Sequence, residues 1–196
     1  DTTFPSKLIS YFSILSMLTR QLINIPVHLG LDHLPNIYCG VAVFVLLPLY
    51  IMCSKVNARE KIGKCVILLI FLTAFNLNIP NYIWHGMHFP NSLPCRQSFI
   101  YIFFLLAMCY EAVINLKNST NRQLGASLWI AIGLLLIMEE LFINSETEYS
   151  FKSVYISGIF ILIYGLLMFI HNNAKFKIPV VLMLTFSVSI IECTMN

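Results

Sequence analysis

The sequence predicts an all-α fold, a polytopic bundle of about six transmembrane helices with one structured, proline-rich loop outside the membrane. Hydrophobic residues make up 58% of the chain and charged residues only 11%, whereas a soluble domain carries about 25% charged residues. Such a chain lacks the polar side chains to cover its own surface in water, so we expect lipid to cover it. In addition, the apolar runs approach the length of a bilayer span and are separated by short polar segments.

Residues 1–36 are predicted to form an extracytoplasmic segment at the membrane surface. Serine recurs every three residues at Ser10, Ser13 and Ser16, which is typical of an interfacial helix with one polar stripe. The segment lacks the basic start and the small-residue cleavage site of a signal peptide. Because the chain starts at Asp1 without a methionine and stops just after an apolar run, we expect it to be a piece of a longer polytopic protein.

Six apolar runs are the candidate membrane spans. They cover residues 37–53, 62–79, 99–116, 124–143, 154–170 and 178–191. A span needs roughly 20 apolar residues, so the first run is short and we expect the last to be truncated. Pro48 lies inside the first run and predicts a kink there.

The lysines and arginines predict which loops face the cytoplasm. Eight of the twelve basic residues lie in alternate loops, at Lys55, Arg59, Lys61, Lys64, Lys117, Arg122, Lys175 and Lys177. The positive-inside rule places these loops in the cytoplasm. Residues 1–36, the loop at 80–98, the acidic turn at 144–148 and the C-terminus should therefore face outward. This pattern predicts a multi-pass protein of a cell membrane.

Residues 76–99, the central segment, interrupt the apolar runs and carry the densest group of polar residues. Prolines 80, 90 and 94 together with Gly86 exclude one continuous helix. We therefore expect a structured loop at the membrane surface in which function concentrates. Its candidate substrate-binding residues are Asn78, Asn81, Trp84, His85, His88, Asn91 and Arg96.

Each of these side chains has a functional and a structural interpretation. Arg96 offers a forked guanidinium donor for an anion, or it extends along the membrane surface to lipid headgroups. His85 and Asn78 suit the hydroxyls of a sugar, or they satisfy loop carbonyls. Trp84 anchors the segment at the interface or stacks on a sugar. His85 and His88 do not predict a metal site, because no cysteine or carboxylate within the loop completes a ligand set.

Two adjacent carboxylates, Glu139 and Glu140, lie in the outer part of the fourth run and are further candidate substrate-binding residues. Intramembrane carboxylates are costly and usually face a cavity or a partner. Adjacent residues diverge by about 100° on a helix, so a paired acid and base is not predicted. Either one carboxylate faces the central segment or both reach water. Glu192, close to the end of the chain, carries no prediction.

Other chemistry is not indicated. Cys39 and Cys95 are both on the predicted outer side, where a disulfide is permitted, but free thiols are the default expectation. The sequence has no glycine-rich phosphate loop, Ser-His-Asp order or zinc-type spacing, so no cofactor, metal or catalytic residue is predicted. The net charge of +3 is too small to suggest nucleic-acid binding.

Several short motifs in and before the central segment fit one family pattern. They are F-N-L-N at 75–78, N-Y-I-W-H-G at 81–86, H-F-P-N at 88–91, L-P at 93–94, R-Q-S-F at 96–99, L-P-N-I-Y-C-G at 34–40 and R-E-K-I-G at 59–63. Together they resemble the YfhO family of bacterial multi-pass membrane proteins. Cys95 departs from the pattern, since an aromatic residue usually stands between the proline and the arginine.

The resemblance implies a large membrane protein related to the GT-C class of glycosyltransferases, which use a polyprenyl-phosphate sugar on the extracytoplasmic face. YfhO-type proteins are associated with glycosylation of cell-wall polymers such as lipoteichoic acid. The implied partners are the lipid bilayer, a polyprenyl-phosphate sugar and a teichoic-acid acceptor. Since GT-C enzymes usually keep their catalytic carboxylate in an early outer loop, that residue is expected before Asp1. A transporter or flippase of lipid-linked sugar and a non-catalytic membrane scaffold are the alternatives.

Overall fold

The computed structural model describes residues 4–27, 34–90, 94–143, 151–173 and 178–196. Over these residues the secondary structure is helical, apart from one isolated bridge between Ser10 and Leu77. The helices are α1 (Ile14–Thr19), α2 (Val43–Met52), α3 (Ala58–Asn76), α4 (Asn78–Trp84), α5 (Ser98–Ile114), α6 (Asn121–Ile143), α7 (Phe151–Asn172) and α8 (Ile178–Met195), and a 3₁₀ turn at Leu116–Asn118 follows α5. The prediction of an all-α fold is confirmed.

Each of the six apolar runs contains a helix, but the helices differ in their ability to cross a bilayer. Among the described residues, two helical stretches are long and apolar enough to do so, Asn121–Glu140 in α6 and Phe151–Asn172 in α7. The apolar stretches Val43–Met52, Ser98–Ile114 and Val180–Met195 are shorter. The prediction of about six complete spans therefore stays a prediction.

Two helix boundaries differ from the predicted runs. The first run begins at residue 37, whereas α2 begins only at Val43, after Gly40 with its positive φ of 98°. The second run extends to residue 79, whereas α3 ends at Asn76 because Leu77 is extended, with φ −108° and ψ 133°. Pro80 then lies in the first turn of α4, where its missing N–H has no helical partner to lose.

The N-terminal segment is not the helix that its serine spacing predicts. Helix α1 begins at Ile14, and the preceding residues 7–12, here called the N-terminal strap, lie against the junction between α3 and α4. The prediction of a helix with Ser10 and Ser13 on its polar stripe is wrong, because this backbone pairs with a distant segment. Beyond α1 the chain enters the core, where Leu22 and Ile23 are fully buried.

Helix α2 lies in the middle of the bundle and packs on α5 and α6, while α7 packs on α6 and α8. Tyr50 of α2 is fully buried in this core. Gly165 allows α7 to approach α6 closely, since a Cβ atom there would lie 2.9 Å from a methyl group of Leu128. Small residues at helix contacts serve the same purpose in membrane bundles generally.

The basic loops meet at one end of the bundle. The amide of Gln123 donates to the Met52 carbonyl over 2.9 Å, and the amide of Asn172 donates to the Ser119 carbonyl over 3.0 Å. Lys64 pairs with Glu111. This end therefore collects six of the eight residues that the alternation groups together, namely Lys55, Arg59, Lys61, Lys64, Lys117 and Arg122. Lys175 and Lys177 lie outside the described residues.

The opposite end holds the central segment and the N-terminal strap, because α3 leads to it and α5 starts from it. The first part of α7 also lies there, where the Ser157 hydroxyl accepts a hydrogen bond of 3.0 Å from the backbone N–H of Ile23. The arrangement agrees with the alternation of the basic loops. Which end faces the cytoplasm stays a prediction.

Candidate functional site

The first half of the central segment is folded as a short helix with a defined end. Helix α4 stops in a Schellman motif, in which the N–H of Met87 bonds to the Tyr82 carbonyl and that of Gly86 bonds to Ile83. Gly86 has a φ of +71°, a left-handed conformation that favours glycine. The glycine that the sequence assigns to a helix break therefore forms the C-terminal cap of α4. Asn91 lies outside the described residues.

Two asparagines at the α3–α4 junction hold the N-terminal strap. The side-chain oxygen of Asn78 accepts from the N–H of Ile9, and its amide donates to the Lys7 carbonyl, both over 2.9 Å. The side-chain oxygen of Asn76 accepts from the N–H of Phe12 over 3.0 Å. Both residues are buried. These side chains thus complete a short stretch of antiparallel pairing that the backbone alone leaves unfinished.

His85 and Asn81 are connected within α4. The Nδ1 atom of His85 lies 2.9 Å from the Asn81 carbonyl oxygen, so this nitrogen carries the proton and donates. Asn81 is 1% exposed, and its amide nitrogen has no hydrogen-bond partner among the described residues. His85 is therefore oriented by the helix backbone through Nδ1, and Nε2 takes no part in this bond.

Other side chains of the central segment project outward. Trp84 is 40% exposed and rests with its ring 4.8 Å from that of Phe71. His88 is exposed, with its ring centroid 6.5 Å from that of His85. Arg96 is also exposed, in the turn that precedes α5. An aromatic face, an imidazole and a guanidinium are thus presented on the end of the bundle opposite the basic loops.

The comparison with known families settles the family of this chain. A family described as bacterial membrane protein YfhO matches residues 2–196. The chain belongs to the YfhO family. No curated protein and no solved structure matches it. The resemblance carried by the motifs of the central segment is confirmed, and with it the assignment to a bacterial membrane protein.

Cys95 shows how this YfhO chain accommodates its departure from the family pattern. The residue is 5% exposed, adopts a φ of +63°, and places its sulfur 4.0 Å from the Phe75 carbonyl oxygen. Burial raises the pKa of the Cys95 thiol to about 12. The small thiol therefore fills an interior position beneath the turn. Cys39 and Cys95 are both free thiols.

The two carboxylates of α6 do not make their main contacts with the central segment. Glu139 accepts a hydrogen bond of 2.7 Å from the Tyr155 hydroxyl of α7, and Glu140 is exposed. Helix α6 packs chiefly on α7 and α2, whereas α4 packs on α3. Within the described parts of the chain, no three histidine, cysteine or acidic side chains come together as a metal site would require.

Glu192 is a buried carboxylate that the sequence alone does not single out. It is 3% exposed and accepts three hydrogen bonds, from the Tyr38 hydroxyl (2.7 Å), the Val41 N–H (2.7 Å) and the Tyr164 hydroxyl (2.5 Å). All three partners are hydrogen-bond donors, and the two oxygens of a carboxyl group can accept from each of them. The sequence does contain one signal that could have identified Glu192. It is a lone acidic residue next to an apolar run, and such residues usually have a partner or a function.

Proposed function

We propose that this YfhO chain forms part of the wall of an extracytoplasmic site at which sugar is transferred from a polyprenyl-phosphate donor to a cell-wall polymer such as lipoteichoic acid. The transfer chemistry comes from the family's resemblance to GT-C glycosyltransferases. One observation supports a site in the central segment: some of its polar side chains hold the fold together, and others are exposed. Asn76 and Asn78 hold the fold together, while Trp84, His88 and Arg96 remain exposed on its surface.

The exposed groups match the chemical parts of a lipid-linked sugar. A guanidinium binds two phosphate oxygens at once, and its charge opposes the negative charge that grows on a leaving phosphate. Imidazole nitrogens bond to sugar hydroxyls, and the face of Trp84 suits the apolar face of a sugar ring. His85 and Asn91 are assigned to the same proposed binding surface, whereas Asn81, which is only 1% exposed, is assigned a supporting position beneath it within α4. Glu139 and Glu140 lie on helix α6, which packs chiefly on α7 and α2, and they are assigned no step.

The acceptor hydroxyl must lose a proton as it attacks the anomeric carbon, which requires a general base. In this proposal that base lies elsewhere in the protein, in the early outer loop in which GT-C enzymes usually keep it. The role of the present chain is binding and charge stabilisation. The loop orientation that places Arg96 outside the cell is supported by the gathering of basic residues at the opposite end of the bundle.

The test is an Arg96→Lys substitution in the full-length protein, assayed for sugar transfer from a lipid-linked donor in membranes. Lysine keeps the charge but not the fork. Charge-assisted hydrogen bonds are worth about 1.5–3 kcal/mol, so the rate should fall roughly ten- to a hundredfold. Arg59→Lys, the same change at an exposed site on the other end of the bundle, is the matched control. Full activity of Arg96→Lys would indicate that Arg96 only contacts headgroups.

His88→Ala tests the same surface without touching the fold, because His88 is exposed and lies beyond the Schellman motif. We expect a loss of transfer with normal expression and membrane insertion. If neither variant changes transfer, the central segment is a structural element and the chain acts as a non-catalytic scaffold.

One observation favours transport of lipid-linked sugar as the second candidate function. Glu192 of α8 is a buried carboxyl group held by the segment before α2 and by α7, and acidic residues within membrane bundles often line ion or proton paths. Under this alternative, Glu192→Gln should abolish lipid-linked sugar movement across reconstituted vesicles. Under the transferase proposal the protein shows no such movement, so the vesicle assay separates the two functions.

A further inference from the structure

A cleft of about 240 Å³ lies between α2, the end of α5, α7 and α8. Most of its wall is apolar and includes Leu46, Leu116, Leu167, Met168 and Val181. Tyr164 and Ser189 supply hydroxyl groups at one end, and Thr185 and His171 also line the cleft, His171 seven residues beyond Tyr164 along α7. The cleft is separate from the central segment and has no part in the function proposed above.

The hydroxyl groups at this end already have acceptors for their own protons. Tyr164 donates to Oε2 of Glu192 over 2.5 Å, and Ser189 donates to the Thr185 carbonyl over 3.0 Å. The two hydroxyl oxygens lie 3.2 Å apart. What they offer to a molecule in the cleft is therefore lone pairs, so this end favours a ligand that donates a hydrogen bond.

The groups behind the polar end supply no positive charge. The Glu192 carboxyl group lies directly behind Tyr164 and is held by the Tyr38 hydroxyl and the Val41 N–H. Moving a phosphate from water into such a position without a cationic partner is costly. An anionic head group is therefore disfavoured there, whereas a neutral hydroxyl is not.

The size and position of the cleft indicate a single hydrocarbon chain. Its volume is about 240 Å³, below the roughly 300–1,000 Å³ of sites that enclose a whole drug-sized ligand. From Val181 to Ser189 it extends about 12 Å along α8. Helix α7 is long and apolar enough to cross a membrane, so the cleft opens at a depth where lipid chains are the abundant apolar molecules.

We propose that the cleft binds a neutral glycerolipid with a free hydroxyl, such as a diacylglycerol. One acyl chain lies along α7 and α8, and the hydroxyl donates to the oxygen of Tyr164 or Ser189. This ligand is distinct from an anionic polyprenyl phosphate, and its binding does not depend on the transfer reaction. The proposal therefore stands or falls independently of the function assigned to the central segment.

The first test is photo-crosslinking of the full-length protein in phosphatidylcholine nanodiscs with a diacylglycerol that carries a diazirine in one chain. Labelled peptides should come from α7 and α8. Unlabelled dioleoylglycerol should compete roughly tenfold better than dioleoyl phosphatidic acid, which has the same chains but a phosphate in place of the hydroxyl. Equal competition by the two lipids, or labelling confined to other helices, would overturn the proposal.

Two variants test where the acyl chain lies, and a third tests why the cleft prefers diacylglycerol to phosphatidic acid. Leu182 lines the cleft, whereas Leu184 points to another side of α8 and is similarly exposed, 49% against 56% for Leu182. Leu182→Trp should reduce labelling several-fold and Leu184→Trp should not. Glu192→Gln should reduce the difference between dioleoylglycerol and dioleoyl phosphatidic acid in how strongly they compete for labelling. Undiminished labelling of Leu182→Trp would show that the chain binds elsewhere, and the wild-type competition remains decisive if a variant fails to fold.

Discussion

Replacing Asn78 by alanine should release the N-terminal strap while leaving the bundle folded. The substitution removes the bonds that its side chain makes with the Ile9 N–H and the Lys7 carbonyl. The backbone bonds from Tyr11 to Asn76 and from Asn78 to Ile9 remain. At about 0.5–1.5 kcal/mol for each lost hydrogen bond, the free energy of opening the strap should fall by about 1–3 kcal/mol.

Hydrogen exchange measures this opening directly, because the strap is a local unit that can open without global unfolding. The amides of Ile9 and Phe12 are both hydrogen-bonded to side chains of the α3–α4 junction. In the peptide that covers residues 7–13, the Asn78→Ala variant should exchange about 5- to 150-fold faster than the wild type. The measurement is mass spectrometry of the purified protein in nanodiscs.

Asn57→Ala is the matched control for this experiment. Asn57 caps α3 at the other end of the bundle, where its side chain accepts a bond of 3.1 Å from the Arg59 N–H. It should accelerate exchange at the start of α3 and leave the strap unchanged. Unaltered exchange of residues 7–13 in Asn78→Ala would refute the role of the side chain. An equal increase in both variants would indicate global destabilisation instead.

Three further predictions concern other parts of the molecule. Glu192→Gln should lower the melting temperature in detergent by roughly 4–8 °C, because a buried donor loses its acceptor at a cost of about 2 kcal/mol, whereas Glu139→Gln, at a more exposed site, should change it little. In intact cells lacking the native outer cysteines, a cysteine at Ser92 should react with a membrane-impermeant thiol reagent and one at Asn57 should not; the reverse pattern would invert the topology. Because the pKa of the Cys95 thiol is raised to about 12, only about one molecule in 10⁴ is thiolate at pH 8, so Cys95 should be alkylated at that pH after denaturation but not before.

The long helices could be located from the sequence because their signal is local. Helices α5, α6 and α7 lie within a few residues of the predicted runs, since uninterrupted apolar composition and polar flanks both report on the same stretch of chain. The basic loops lie at one end because successive helices run antiparallel, so that alternate loops share an end of the bundle. The start of α2 is harder to place, because apolar residues before Val43, such as Ile37 and Val41, are buried although they lie in loop and turn and not in a helix.

The roles of the polar residues could not be predicted in the same way, because their partners are distant in sequence. Asn78 and Asn81 are the same residue type within one turn of helix α4. Asn78 bonds to strap residues that lie 69 and 71 positions earlier in the sequence. The amide nitrogen of Asn81 has no partner among the described residues. Glu192 is held by Tyr38, Val41 and Tyr164, and no spacing in the sequence connects these positions.

The two arginines near the end of the bundle opposite the basic loops show how burial separates a structural residue from a candidate ligand-binding residue. Composition and topology treat Arg20 and Arg96 alike, as the isolated cations of a side that has few. Arg20 is only 3% exposed, and its guanidinium donates to the Pro26 carbonyl over 2.7 Å and to the Asn36 side-chain oxygen over 2.6 Å. A planar group with five donors suits this task of joining loop segments. Arg96 is exposed at the entrance of α5, and the proposed function assigns its fork to the phosphate of the lipid-linked donor.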